Sequence, residues 1–307
     1  MSGNQLRVTV APSMALVVLW SSGFIGAELG TRQAPASTLL AWRYLVATGI
    51  LVALCAWRHE RVGRAGVRRQ VVLGLLCQAT YLGLTVSGVG LGVPSGTAAL
   101  IAALQPLVVI ALAALVLAER ARLAQLLGIA LGLAGVVLVV SGDLTAGGAP
   151  WWAYVMPFGG MLSLAAGTVL QQRWRPQESV LVSMAVQSAA AAVVFWLLAL
   201  AEGTAGEPTP PAFWGAVAWV VLLSSFGGYG AYLYVSRTQG ATRASTLLYL
   251  TPPTTMLWAA LMFGDSVPPA GLAGLALSAI GVAIALRSAG QARPAATHER
   301  VEELALR

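Results

Sequence analysis

Residues 104–115 read LQPLVVIALAAL, and residues 250–261 read LTPPTTMLWAAL. Slid by 146 residues without a gap, Leu104 falls on Leu250, Pro106 on Pro252 and Ala113-Ala114-Leu115 on Ala259-Ala260-Leu261. The register continues beyond that stretch: residues 128–136, GIALGLAGV, meet 274–282, GLALSAIGV, and Glu119 meets Asp265. Apolar composition alone would produce coincidences of leucine and alanine, but not a proline, an acidic residue and two glycines in one register. The same unit is therefore present twice.

Composition places that unit in a lipid bilayer. Hydrophobic residues make up 58% of the 307 residues and charged residues 9%, which is more apolar surface than a water-soluble domain of this length can hide. Windows of about 20 residues, the length that crosses about 30 Å of hydrocarbon, predict an all-α membrane protein. The ten transmembrane segments fall near 10–30, 36–57, 70–91, 95–117, 122–141, 150–171, 178–200, 212–235, 243–263 and 267–287. Glycines 88, 90 and 92 with Pro94 mark the turn between the third and fourth. The expected organisation is a first five-helix repeat over 1–143, a second over 144–287 and a polar cytoplasmic tail over 288–307.

Orientation follows from the arginines, because cytoplasmic loops close to membrane segments carry an excess of positive residues. All 18 positive residues are arginine. With the N-terminus inside, only Arg32 faces out and only Arg43 lies within a segment; the other sixteen, among them Arg58, Arg61, Arg64, Arg68 and Arg69, fall on the cytoplasmic side. Both termini are then cytoplasmic. The net charge of +7 reads as a belt at the inner leaflet rather than as a nucleic-acid footprint. Five segments per half is an odd number, so the second half starts on the opposite face and the repeats are inverted. Such repeats are the usual build of secondary transporters. Glu119 and Asp265 occupy equivalent places before the fifth and tenth segments, where a carboxylate reads first as a helix cap.

Several other classes are excluded. Arg7 and the apolar run after it resemble a signal peptide, but Glu28 and the second apolar segment argue that the first segment is retained. Cys55 and Cys77 have neither disulfide nor metal spacing, and His59 and His298 lie in a loop and the tail. Neither a metal nor another cofactor is expected. The segments carry no HExxH pattern and no intramembrane aspartate pair, which argues against a membrane enzyme. The absence of a phosphate-binding loop argues against nucleotide-driven transport by this chain alone.

The prolines point to the site. A proline inside a membrane helix removes one backbone hydrogen bond and frees the carbonyl four residues earlier, here those of Ala102 and Leu248. Pro106 and Pro252 occupy equivalent places in the two halves, and paired interruptions of this kind point to a transporter's binding site; a kink used only for packing is the alternative. Side chains able to hold a small amphiphile gather in the same segments: Gln105, Tyr249 and Thr251, with Trp20 in the first, Gln78 and Tyr81 in the third, and Tyr229 and Tyr232 in the eighth. Small residues at Ser21-Ser22-Gly23, Gly26, Gly30, Gly128 and Gly132, and at 224–228, read as close helix packing.

Two ionisable residues complete the set. An arginine at the bilayer centre costs about 2.5–3.5 kcal/mol on insertion scales, so Arg43 should face the bundle. Glu28, near the end of the neighbouring antiparallel segment, is its expected ion-pair partner. The pair reads first as a static link between two helices; the functional alternative is that it rims the external gate or contacts a zwitterionic substrate, as a candidate for gating or coupling with Glu28 the candidate carrier if protons drive transport.

The phrase Leu19-Trp20-Ser21-Ser22-Gly23-Phe24, the Arg43-Tyr44 pair, Gln105-Pro106 followed by Glu119, and the Pro252 to Asp265 echo resemble the EamA type of the drug/metabolite transporter superfamily over nearly the whole chain to about residue 287. The resemblance implies a ten-helix inner-membrane carrier working by alternating access, usually an exporter of amino acids or other small metabolites. Glu28 departs from the pattern, since many relatives carry a lysine there. A channel or facilitator for small solutes is the alternative to a carrier.

Overall fold

The computed structural model describes residues 3–117, 123–145, 149–206, 208, 210–239, 247–265 and 269–290, and among them every regular element is helical. Helix α1 covers Gly3–Thr31 and α2 covers Ala36–Trp57. Helix α3 is continuous from Arg64–Gly74 through a π-helical turn, Leu75–Thr80, into Tyr81–Gly90. Helices α4 (Ser95–Ala102) and α5 (Gln105–Leu117) are two halves of one segment, and α6 covers Leu123–Thr145. A 3-10 turn at Trp151–Tyr154 leads into α7 (Val155–Trp174), and α8 covers Val180–Ala201. Helix α9 runs from Pro211–Trp219 through a π-helical stretch, Val220–Gly228, into Tyr229–Gln239. Helices α10 (Thr251–Phe263) and α11 (Pro269–Gly290) end the described chain. Glu119 and the tail from 291 lie outside the described residues.

The punctuation is legible. Pro35, Pro94 and Pro210 stand immediately before α2, α4 and α9, where the missing N–H costs no helical hydrogen bond. Gly92, at φ +101°, turns the chain between α3 and α4. Seven helical stretches are apolar and long enough to cross a bilayer: Val10–Thr31, Ala36–Trp57, Arg64–Gly90, Leu123–Thr145, Trp151–Gln171, Val180–Ala201 and Pro211–Tyr232. They match seven of the ten expected segments. The third begins at Arg64 rather than near residue 70, because nothing between them stops a helix. The fourth is divided, the described part of the ninth starts at residue 247, and the tenth is helical as α11.

Leu126, Leu127 and Val137 on α6, and Val193, Leu197 and Leu200 on α8, are exposed. In water these surfaces would be an aggregation hazard; against acyl chains they are the lipid face. Inside, small residues let the helices meet. A Cβ on Gly135 of α6 would lie 2.5 Å from the Gly274 carbonyl on α11, and a Cβ on Gly281 would lie 2.6 Å from the Gly128 carbonyl. Between these contacts the Ser278 hydroxyl donates to the Gly132 carbonyl at 3.1 Å. Partners fall from 281 to 278 to 274 as α6 advances, so the two helices cross antiparallel. Shifted by 146 residues, the Gly135–Gly274 contact becomes Gly281–Gly128 and the Ser278–Gly132 bond maps onto itself.

The same exchange relates larger pieces. Helix α1 packs along α9, and α7 packs along α3. The π turn of α3, shifted by 146 residues, becomes 221–226, inside the π stretch of α9. Helices α2 and α8 pack along each other, with Tyr44 stacked on Phe195 at 5.6 Å and Trp42 edge-on to Trp196 at 5.3 Å.

Polar groups clamp both ends of α8. At its start Glu178 accepts from Arg69 at 3.1 Å and from Gln70 at 3.2 Å, while Gln187 donates to the Gln70 carbonyl oxygen at 2.8 Å. Desolvation pushes the Glu178 carboxyl upward, but hydrogen bonds from its own backbone N–H, Gln70 and Arg69, with the Arg69 charge, outweigh it and hold the group below the usual carboxylate range. At the other end Ser37 donates to the Glu202 carboxylate and Thr38 to the Thr204 carbonyl at 2.9 Å.

Candidate functional site

Both prolines begin half-helices. The fourth segment stops at Ala102, turns through Ala103 and Leu104, and restarts at Gln105 with Pro106 in the first turn. In the ninth, Tyr249 and Leu250 form the turn and Pro252 stands in the first turn of α10. Each proline thus interrupts its helix where the sequence placed the interruption, through a two-residue turn in which Ala103 and Leu250 keep right-handed helical dihedrals. In a first turn the N–H of a proline would have no intrahelical acceptor, so the break accommodates the ring without strain. Discontinuous helices with exposed backbone at their ends are how transporters assemble ligand sites inside a bilayer.

Around the second break the hydroxyls of Tyr249, Thr251 and Thr255 are buried without a hydrogen-bond partner among the described residues. Thr251 is 3% exposed. A small recess beside them is lined by Leu100, Ala103, Leu104, Tyr249, Pro252 and Ser278, so it touches both breaks. Gln105 donates to the Thr168 hydroxyl on α7 at 2.9 Å, and that hydroxyl donates to the Leu164 carbonyl at 2.8 Å.

The Leu19–Gly23 stretch of α1 connects the second break to the α9 π stretch. The Ser21 hydroxyl reaches the Thr251 carbonyl at 3.4 Å, Trp219 donates to the Ser22 carbonyl at 3.0 Å, and a Cβ on Gly23 would lie 2.7 Å from the Ser224 hydroxyl. Trp20 packs on Tyr232 at 5.6 Å, and Tyr232 on Tyr229 at 6.2 Å. Helix α7 makes the equivalent connection in the other half. Ser163 donates to the Leu76 carbonyl in the α3 π turn at 2.9 Å, and Thr168 holds Gln105 at the first break.

Helix α2 reaches both π elements. The Tyr44 hydroxyl donates to the Gln78 carbonyl oxygen in the α3 turn at 2.7 Å, while Arg43 Nη2 donates to the Ser225 hydroxyl in the α9 stretch at 3.1 Å. Arg43 is 6% exposed, so it faces the bundle as its cost in lipid requires. Tyr81, 8% exposed, lies within its electrostatic reach.

The expected Glu28–Arg43 pair does not form. Glu28 Oε1 accepts from Arg32 at 2.6 Å, and Arg43 turns to Ser225. Arg32 stands four residues on, over the same helical face, and meets Glu28 without ordering a second helix; its guanidinium also sits 4.2 Å from the Phe263 ring. The remaining candidates divide into Gln105, Pro106, Tyr249, Thr251 and Pro252 at the breaks, Gln78 and Tyr81 at the α3 turn, and Trp20, Tyr229 and Tyr232 as an aromatic group on α1 and α9. Sequence reasoning missed Thr168 and Ser163, whose signal was a polar side chain in an apolar segment. It also missed Asp143, which accepts from Thr97 at 2.7 Å, because α6 runs on to Thr145 rather than ending near 141.

Apolar helices in contact with lipid, an antiparallel crossing of equivalent helices and paired internal breaks lined by polar groups define a membrane transporter. The chain belongs to the EamA-like transporter family, whose model matches residues 10–141 and 151–287. It is 28% identical over 293 residues to the inner membrane transporter YedA of Escherichia coli, covering 94% of this chain and 93% of that one. It is 30% identical to the probable terminal-alkyne amino-acid exporter of Streptantibioticus cattleyicolor, covering 92% of this chain and 95% of that protein. The probable amino-acid metabolite efflux pump of Salmonella typhimurium is 26% identical, with 89% and 92% covered. A crystal structure 21% identical in sequence superposes with a TM-score of 0.63 over 94% of this chain and 99% of the other, sharing the fold.

Proposed function

We propose that this transporter exports amino acids or other small metabolites across the inner membrane by alternating access between two inverted five-helix repeats, 1–143 and 144–287, followed by a cytoplasmic tail over 288–307. The observation that carries the reading is the exchange of contacts at the α6–α11 crossing, since related halves of opposite orientation can swap conformations and open a shared site to each side in turn. The amino-acid and metabolite cargoes of two relatives and the inner-membrane location of a third support substrate class and place. The substrate site lies between the helix breaks and the π turns, formed by Gln105, Pro106, Tyr249, Thr251 and Pro252 with Gln78, Tyr81, Trp20, Tyr229 and Tyr232. Efflux from proteoliposomes loaded with single amino acids should saturate with concentration. Flux that stays linear would make the protein a channel.

Ten spans with both termini cytoplasmic set the loop at Gly63 inside and the loop at Thr204 outside. Cysteines placed singly there, in a chain with Cys55 and Cys77 replaced, should react with an impermeant thiol reagent from opposite sides. Labelling of both from one side would overturn this topology.

Proton coupling is assigned to Glu28, whose Oε2 is buried without a partner among the described residues while Oε1 holds a half-exposed arginine. Glu28→Gln should abolish flux driven by a pH gradient while sparing exchange at equal pH; unchanged proton-driven flux would leave Glu28 a partner of Arg32 only.

A further inference from the structure

Arg43 is a buried cation whose charge no carboxylate answers among the described residues. The described residues form two ion pairs, Arg32–Glu28 and Arg69–Glu178, and Arg43 belongs to neither. Among the described residues its one hydrogen bond is to the Ser225 hydroxyl, which in turn donates to the Val220 carbonyl at 3.0 Å, and its Nε is buried with no acceptor. The Tyr44 ring, 5.6 Å from the guanidinium, offers a weak cation–π contact. A guanidinium has five N–H donors in a planar fork. Burying it against one neutral hydroxyl leaves much of its hydration unreplaced, an arrangement that costs free energy unless an anion completes it.

The neighbours specify what would complete it. Arg43 and its neighbour Tyr44 together reach two π-helical elements, of a kind that recurs at functional sites because the extra residue per turn leaves backbone groups out of the helical ladder. Ser225 lies on one of these elements and Gln78 on the other, bridged by the adjacent Arg43 and Tyr44 of α2. A planar oxyanion meets the guanidinium fork with two parallel hydrogen bonds, a match that a single neutral acceptor cannot make.

We propose that Arg43 is the anion anchor of the transported molecule, so the cargo carries a free carboxylate that docks on the guanidinium with Ser225 beside it. This rests on the transporter reading of the same site and adds the chemical group by which cargo is recognised. In the conformation described here Arg43 is closed off from solvent, so the carboxylate enters when α9 moves relative to α2. The close packing of Gly23 and Gly26 against Ser224, Val220 and Trp219 makes α1 the surface along which α9 slides.

The test compares thermal stabilisation of the purified full-length protein by the twenty L-amino acids, by the carboxamide of each, and by the decarboxylated amine of each stabilising one. Ligand binding to the native state raises its apparent stability. At least one amino acid should stabilise the protein, while its carboxamide and its amine bind on the order of 30-fold more weakly, the loss expected for one charge-assisted pair. Arg43→Gln should lose the preference for the acid, and Arg43→Lys should keep part of it. If Arg43→Gln does not fold, the acid and amide comparison on the unmodified protein decides alone. Equal stabilisation by acid and carboxamide, or an undiminished acid preference in Arg43→Gln, would overturn the anchor and leave the transporter reading standing. No stabilisation by any amino acid would remove the amino-acid reading and the anchor together.

Discussion

Gly135→Leu should abolish recovery of monodisperse protein from the membrane, and Gly281→Leu should do the same. At Gly135 a Cβ would already lie 2.5 Å from the Gly274 carbonyl and 2.7 Å from the Ser278 amide nitrogen; at Gly281 it would lie 2.5 Å from the Gly132 nitrogen. These obstacles are backbone, so no rotamer change relieves them and the helices must separate. Overpacking of this kind costs about 1–3 kcal/mol, and separation also breaks the Ser278–Gly132 bond, worth about 0.5–1.5 kcal/mol. Packing and backbone hydrogen bonds are what hold helices together where lipid removes the hydrophobic drive between them. The control is Gly49→Leu on the exposed face of α2, where a Cβ meets nothing within 4 Å. Size-exclusion profiles and melting temperatures in detergent decide the matter: an unaltered profile for Gly135→Leu would show that the α6–α11 crossing is not close-packed.

Thr251→Val should reduce transport about 2- to 10-fold without lowering the melting temperature. The two side chains have the same shape, and the Thr251 hydroxyl has no partner among the described residues. Removing an unsatisfied buried hydroxyl is close to neutral for the fold, or stabilising, whereas removing one that bonds cargo forfeits roughly 0.5–1.5 kcal/mol of binding. Stability and function should therefore move apart. Gln105→Leu is a less clean experiment, because it also breaks the bond to Thr168; it should cost stability as well as transport. Wild-type transport kinetics in Thr251→Val would move the site away from the second break.

The places where the sequence succeeded and failed divide along one line. Pro106 and Pro252 marked both breaks in advance because proline acts on its own backbone and needs no partner. Gly128 and Gly132 of α6 marked a close helix contact for a similar reason, since small residues inside an apolar membrane helix let backbones approach. Glu28 and Arg43 were matched wrongly. Each could reach several partners, and the choice between a neighbour one turn away and a residue 182 positions along the chain, as Ser225 is from Arg43, depends on how whole helices are rotated.

By itself the sequence determined that the chain lives in a bilayer, that it carries one unit twice, and where two of its helices are interrupted. Composition, register and proline chemistry are local properties, and folding cannot alter them. Only the tertiary structure decided that α6 and α11 cross antiparallel at Gly132 and Ser278, that α3 and α9 each pass through a π turn, and that Arg43 is buried beside a hydroxyl instead of a carboxylate. No residue pattern writes a π turn, because the extra residue is accommodated by what packs against it, here the close faces of α1 and α7. The partner of a buried charge is likewise set by the rotation and depth of neighbouring helices, which the whole bundle settles at once.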